Sequence, residues 1–308
     1  MKDNFYYTSI YSGLEPIFQG IYDVVRYFDN PQLFFIITGT IIYGLLIICL
    51  LKESEIFSIS LAIFVFTNIF FIFSLSFIRQ FMAVMLIFYG ARYLFKNKII
   101  YILIVILTSI LVHNSAIICL VFILIPKYKI KFYEISLGFF FAAFFYKFFI
   151  NFLLKKIVFL QKYSYLAYRE NIEPGLVGMK GLIIFFVLIL IAEYLEKLKN
   201  EKFNNKYYFY KNSTLIGLML IIFFNYTIGG HFPLRIGWYF IIFSILLASE
   251  LFAKLTYKQS MEILIIFLIY GLSINNLIES KFLYESYIGK TIKNFSSPIL
   301  PNDIEVQL

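Results

Sequence analysis

Residues 32–51 and 56–77 form runs of 20 and 22 residues without one charged side chain. At ~1.5 Å per residue, each is long enough as a helix to cross ~30 Å of hydrocarbon. Further apolar runs fall at 80–91, 99–125, 181–192, 212–234, 236–249 and 263–278. Apolar residues make up 61% of the 308-residue chain, against about 45–50% for a soluble domain. Such a chain is a polytopic membrane protein, and soluble enzymes, nucleic-acid modules and secreted disulfide scaffolds are excluded. Only helices or closed barrels satisfy the backbone in lipid, and barrel strands need only ~10 residues. The expected fold is therefore all-α: a membrane bundle of about ten transmembrane or partly inserted helices, at 32–51, 56–77, 80–95, 99–112, 115–125, 133–152, 176–195, 214–228, 238–253 and 261–278.

The net charge of +9 resides largely in short connections between these runs. In a soluble protein it would suggest nucleic acid; here it follows the positive-inside tendency, with membrane lipids as the partner and no nucleic acid. Loop charge also decides how to read 99–125, which is too long for one span and too short for two. If the stretch is a pair of short helices turning at His113-Asn114-Ser115, the inner connections hold 14 Lys/Arg in 43 residues and the outer segments 11 in 98. If it is a single helix, the split becomes 12 inside and 13 outside, and the bias vanishes. The pair is preferred, which puts its turn below the outer surface, with His113 facing a water-accessible recess. The result is a single membrane domain over 1–308, with an outer N-terminal segment (1–31), an outer loop (153–175) and a C-terminal tail (279–308). The first 30 residues do not read as a signal peptide, so the run from Gln32 is expected to act as the insertion signal. Cys49 and Cys119 lie inside apolar runs, and two histidines cannot build a zinc cluster, so neither a disulfide nor a metal site is expected.

Few polar residues are left to carry chemistry. Arg79-Gln80 sits between two apolar runs. Arg79 is either a snorkelling flank or a cation facing the bundle, and an outer arginine runs against the positive-inside tendency. Gly229-Gly230-His231-Phe232-Pro233-Leu234-Arg235 precedes Trp238 and Tyr239. Loop geometry explains the glycines and an interfacial aromatic belt the two rings, but neither explains Arg235. Glu15-Pro16 is a helix start on local grounds, and His113 could simply bridge two helices. Lys147 and Glu193 lie near helix ends, where they can snorkel, and receive no role. The 153–175 loop, with Tyr163, Tyr165 and Tyr168 among its basic residues, is suited to the membrane interface.

Phe77-Ile78-Arg79-Gln80-Phe81-Met82-Ala83, the basic turn Lys96-Asn97-Lys98, and Ile110-Leu111-Val112-His113-Asn114-Ser115-Ala116-Ile117 together resemble the "RQ..A … H.SA" core of the EpsG family. These are bacterial membrane proteins similar to the Wzy-type polymerases of O-antigen, capsule and exopolysaccharide. Leu14-Glu15-Pro16-Ile17-Phe18 resembles the family's "EPgf" element, and Arg235 with Tyr239 its later "R…Y" element. Members usually carry a further span ahead of the Glu-Pro segment, whereas this chain starts at Met1-Lys2-Asp3-Asn4, and a truncated sequence, a misassigned start and an abbreviated member are the three readings of that difference.

The resemblance implies a multi-pass glycosyltransferase of the bacterial cytoplasmic membrane. It would join undecaprenyl-diphosphate-linked oligosaccharide repeats on the outer face, alongside a flippase and a chain-length regulator. The donor is already activated, so no cofactor is expected. Arg79 and Arg235 would bind diphosphate, and Glu15 or His113 would act as the base. Gln80, His231, Tyr163, Tyr165, Tyr168 and Tyr239 would contact substrate. The competing readings are a lipid-linked oligosaccharide flippase or other transporter, a membrane sugar O-acyltransferase, and a structural membrane subunit.

Overall fold

The computed structural model describes residues 14–53, 59–125, 127, 129–144, 176–199, 203–227 and 232–255. These residues are all-α, with no strand among them. The elements are α1 (Pro16–Tyr27), α2 (Gln32–Glu53), α3 (Ile59–Ile69), α4 (Phe71–Ser76), α5 (Ile78–Gly90), α6 (Arg92–Phe95), α7 (Ile99–Val112), a 3-10 helix (Asn114–Ile123), α8 (Phe132–Phe144), α9 (Leu176–Lys199), α10 (Asn205–Thr227), α11 (Phe232–Ile241) and α12 (Ser244–Lys254). Two stretches are long and apolar enough to cross a membrane: Gln32–Glu53, and Arg235–Lys254 running through α11 and α12. The first is 33% buried within the protein and the second 94%, so α2 lies at the periphery and α11–α12 at the centre. The expected segment at 261–278 lies outside the described residues.

α1 is amphipathic: Phe18, Ile21 and Val25 are buried at i, i+3 and i+7, while Gly20, Asp23 and Val24 are exposed. It ends where Asp29 takes the left-handed region (φ 48°), which turns the chain back into α2. The Asn30 side chain accepts the Gln32 N–H at 3.0 Å and covers the start of α2.

The 99–125 stretch divides at His113 into two legs that pack on each other. The fourteen α-helical residues of α7 rise about 21 Å. Ten residues in 3-10 form rise about 20 Å, because that helix climbs ~2.0 Å per residue. The tighter winding thus lets the shorter leg match the longer one, and each leg, at about 20 Å, is shorter than a full hydrocarbon span.

Close approaches at glycine bring the central helices together. A Cβ on Gly90 would meet the Val105 side chain at 2.5 Å, fixing α5 against α7. One on Gly237 would meet Ile221 at 2.2 Å, and one on Gly217 would meet Phe240 at 2.7 Å. α10 and α11 therefore cross almost backbone to backbone, and this sets the position of Arg235 and Tyr239 on α11.

Three expectations are corrected. Trp238 does not join an interfacial belt: it is 7% exposed, with its ring 4.2 Å from Phe73 and 4.7 Å from Phe81, edge to face. Such aromatic packing inside the bundle gains more than an interfacial position would. The stretch 196–213 is not one long connection. α9 runs on to Lys199 and α10 begins at Asn205, because Lys211 finds carboxylates inside the bundle. Glu193 is one of them, 2.7 Å from the Lys211 Nζ, and Glu196 the other at 2.7 Å, so Glu193 does have a role. Lys147 lies outside the described residues.

Candidate functional site

Glu15 is the N-cap of α1, with extended backbone (φ −69°, ψ 148°) and Pro16 at the first helical position. Its side chain does not cap its own helix. The carboxylate turns inward, 5% exposed, and joins two other segments. Its Oε2 accepts the Arg79 Nη1 at 3.2 Å, from the first turn of α5. Its Oε1 lies 3.0 Å from the His113 Nδ1 and accepts the Asn114 backbone N–H at 3.2 Å. That N–H is available because the 3-10 helix starts at Asn114, and the first donors of a helix lack internal partners. His113 ends α7 in extended geometry (φ −156°, ψ 117°), which swings its ring out of the α7 axis toward Glu15.

Burial alone would push the Glu15 carboxyl up. The His113 hydrogen bond, with backbone N–H donors that include Asn114, outweighs it and holds the group at about 2. An ionised carboxylate only accepts, so the proton of the neutral imidazole is assigned to Nδ1 and the free lone pair to Nε2. Glu15, with both oxygens engaged and a low proton affinity, is a poor base. His113 is the better one, 17% exposed and oriented from behind.

The cations differ from each other. Arg79 is 41% exposed, pairs with Glu15 and lies 5.5 Å over the Phe18 ring. Arg235 lies 5.5 Å over the Phe77 ring; among the described residues it has no ion pair, and its buried Nε has no hydrogen-bond partner. The two arginines are linked through Gln80, which is 4% exposed and donates its amide to the Arg235 carbonyl. One turn after Arg235, the fully buried Tyr239 places its hydroxyl 3.1 Å from the Ser115 Oγ.

Four separate stretches are thereby closed into one network: Glu15 to Arg79, Glu15 to His113-Asn114, Ser115 to Tyr239, and Arg235 back to Gln80. Gln80 and Tyr239 face protein groups and act on the site through Arg235 and Ser115. His231, Tyr163, Tyr165 and Tyr168 lie outside the described residues. Sequence reasoning gave no separate role to Ser115, although it belongs to the His113 motif, nor to the Asn114 N–H and the rings of Phe18 and Phe77. No group of acidic, His or Cys side chains among the described residues could hold a metal ion. Cys49 and Cys119 are both buried thiols.

No curated protein and no solved structure gives a significant match to the chain. The sequence model of one family matches residues 2–288, nearly the whole length and every stretch of the network. Members of that family are Wzy-like polysaccharide polymerases, which makes this a membrane protein with a suggested role in polysaccharide polymerisation. On that match and on the residues it spans, the chain belongs to the EpsG family.

Proposed function

We propose that this protein is a multi-pass glycosyltransferase of the bacterial cytoplasmic membrane. In this reading it polymerises undecaprenyl-diphosphate-linked oligosaccharide repeats at the outer face. The observation that carries the reading is the Glu15 carboxylate held between His113 and Arg79, with Arg235 linked to the same network and without a carboxylate partner among the described residues. The chemistry needs a base for a sugar hydroxyl and cations for a departing diphosphate, and this network supplies both residue types.

In the mechanism, the acceptor hydroxyl donates its proton to the His113 Nε2 as its oxygen forms a bond to the anomeric carbon of the donor. The bond from that carbon to the lipid diphosphate breaks, and the electron pair leaves with the diphosphate. Arg235, with Arg79 beside it, stabilises the charge that develops there. Glu15 keeps the imidazole oriented and steadies the imidazolium, as a carboxylate behind a catalytic histidine does. Ser115 and Tyr239 fix the turn that carries His113, and Gln80 fixes the backbone that carries Arg235.

The opposite end of the bundle supports this orientation. There Lys52, Arg92, Lys127, Lys129 and Lys206 gather, and the positive-inside tendency favours the cytoplasmic side for such an end. The test is complementation of a host lacking the gene, with surface polysaccharide resolved by length. Wild type is expected to restore long chains, and His113→Gln and Arg235→Ala to leave single repeats at normal membrane levels. Long chains from His113→Gln would end its role as base, and long chains in the deletion strain would end the polymerase reading.

A further inference from the structure

Arg92 marks a second site, about 20 Å along α5 from Arg79 and independent of the polymerase reading. α5 stops at Gly90, Ala91 links, and Arg92 opens the short α6. The guanidinium lies 3.7 Å over the Tyr89 ring and 4.9 Å over the Tyr93 ring. Its Nη2 donates to both phenol oxygens, at 3.1 Å to Tyr93. These partners orient the cation without neutralising it. Its Nε is buried and has no hydrogen-bond partner among the described residues.

The cation lines a cleft with Cys49, Glu53, Phe95 and Tyr210. Glu53, the carboxylate of that lining, is already paired with the Lys206 Nζ at 2.5 Å. Two more cations lean on neighbouring rings. Lys52 is 5.5 Å over the Tyr89 ring, and Lys127 is 5.4 Å over Phe95 while donating to the Leu94 carbonyl at 2.5 Å. Three cations thus gather around Tyr89, Tyr93 and Phe95, beside a cleft whose one carboxylate is committed to Lys206. Exposed apolar side chains stand beside these cations in the chain: Leu51 before Lys52, Ile99 and Ile100 after the Lys96-Asn97-Lys98 turn, and Leu124 before Lys127.

A cluster of cations with apolar flanks matches a molecule that has an anionic head and hydrocarbon tails. We propose that this cluster is a binding site for an anionic phospholipid. Its phosphate meets Arg92, Lys52 and Lys127, and its acyl chains run along the apolar flank. Arg92 suits the role because its guanidinium, held flat by Tyr89, keeps its full charge while Nη1 remains to donate to a phosphate oxygen. A basic pocket between membrane helices is a recurring form of headgroup recognition.

The test uses the full chain purified in neutral detergent, with dioleoylphosphatidylglycerol, dioleoylphosphatidylcholine or inorganic phosphate added and the thermal midpoint read. Phosphatidylglycerol should raise the midpoint where phosphatidylcholine does not. Its apparent affinity should fall roughly tenfold in Arg92→Gln and in the paired variant Lys52→Gln/Lys127→Gln. Arg26→Gln, at the far end of the molecule, should leave the affinity unchanged. Equal shifts with both lipids, or an undiminished phosphatidylglycerol effect in the variants, would overturn the proposal. Inorganic phosphate matching phosphatidylglycerol at equal concentration would show an anion site with no preference for lipid and would overturn it too. If Arg92→Gln does not fold, native mass spectrometry of the wild type decides the matter: phosphatidylglycerol retained over phosphatidylcholine supports the site, and equal retention overturns it.

Discussion

Two charged clusters of the bundle, around Lys211 and around Glu15, are built to opposite rules. Around Lys211, charge is matched inside the protein. The ammonium is 0% exposed and meets Glu193 and Glu196, while Lys129 meets the far oxygen of Glu196 at 3.0 Å and Lys206 meets Glu53. Around Glu15, charge is left over. One carboxylate serves Arg79 and His113, and Arg235 has none among the described residues. A buried charge must be paired or it will neutralise or unfold its surroundings. The matched cluster therefore reads as a clasp between α9 and α10. In the unmatched cluster Arg235 has no carboxylate among the described residues, and under the proposed function a bound diphosphate would supply the missing anion.

The largest effect that could break this contrast is on folding. Lys211→Met takes away the buried cation that Glu193 and Glu196 share and leaves the buried Glu196 only the exposed Lys129, an expected loss of about 3–5 kcal/mol, read as a lowered unfolding midpoint in detergent. The triple variant Lys211→Met/Glu193→Leu/Glu196→Leu should regain most of that loss. If it does not, the cluster does more than hold two helices together.

Next in size is Arg235→Lys, expected to cut polymerising activity by about 10²-fold or more with the midpoint unchanged, since a point charge lacks the guanidinium fork. Equal loss of stability and activity would erase the distinction between the two clusters. Glu15→Gln sharpens the contrast through pH. The Glu15 carboxyl is lowered from the ordinary 4.5 to about 2. Its contribution to stability is thus complete above about 4.5 and is lost as pH falls toward 2. The total is on the order of 3 kcal/mol. In unfolding midpoints measured across that window, Glu15→Gln should show a shallower slope than wild type. The smallest effect is Lys129→Ala: its side chain is 42% exposed, so the pair with Glu196 contributes only about 0–1 kcal/mol.

The sequence is most legible where one local rule suffices. Charge-free length marks α2, Glu15-Pro16 marks the start of α1, and loop charge favours a break at His113. Pairing across distance is not legible. Nothing near Glu15 in the chain announces that its carboxylate leaves its own helix for residues 64 and 98 positions away. Lys211 is hidden for a related reason: a count of loop charges treats each lysine as solvated, whereas this one is neutralised by carboxylates 15 and 18 positions earlier. The 3-10 winding of 114–123 has the same apolar composition as an α-helix, so composition cannot reveal it. Trp238 next to Tyr239 imitates a belt because both a belt and a core are made of aromatic residues.

The same long separations govern when the site can exist. Gln80 is linked to Arg235 across 155 positions, and Ser115 to Tyr239 across 124. A chain that enters the membrane from its N-terminus, as it is synthesised, carries Glu15, Arg79 and His113 into place well before α11 arrives. Until α11 docks beside α10 through Gly237 and Gly217, the His113 turn lacks its Tyr239 brace and Arg235 is missing altogether. Under the proposed function, completion of the site is therefore a late event in biogenesis. A ribosome-bound or prematurely ended chain would hold the Glu15, Arg79 and His113 cluster without Arg235 and without the Tyr239 brace.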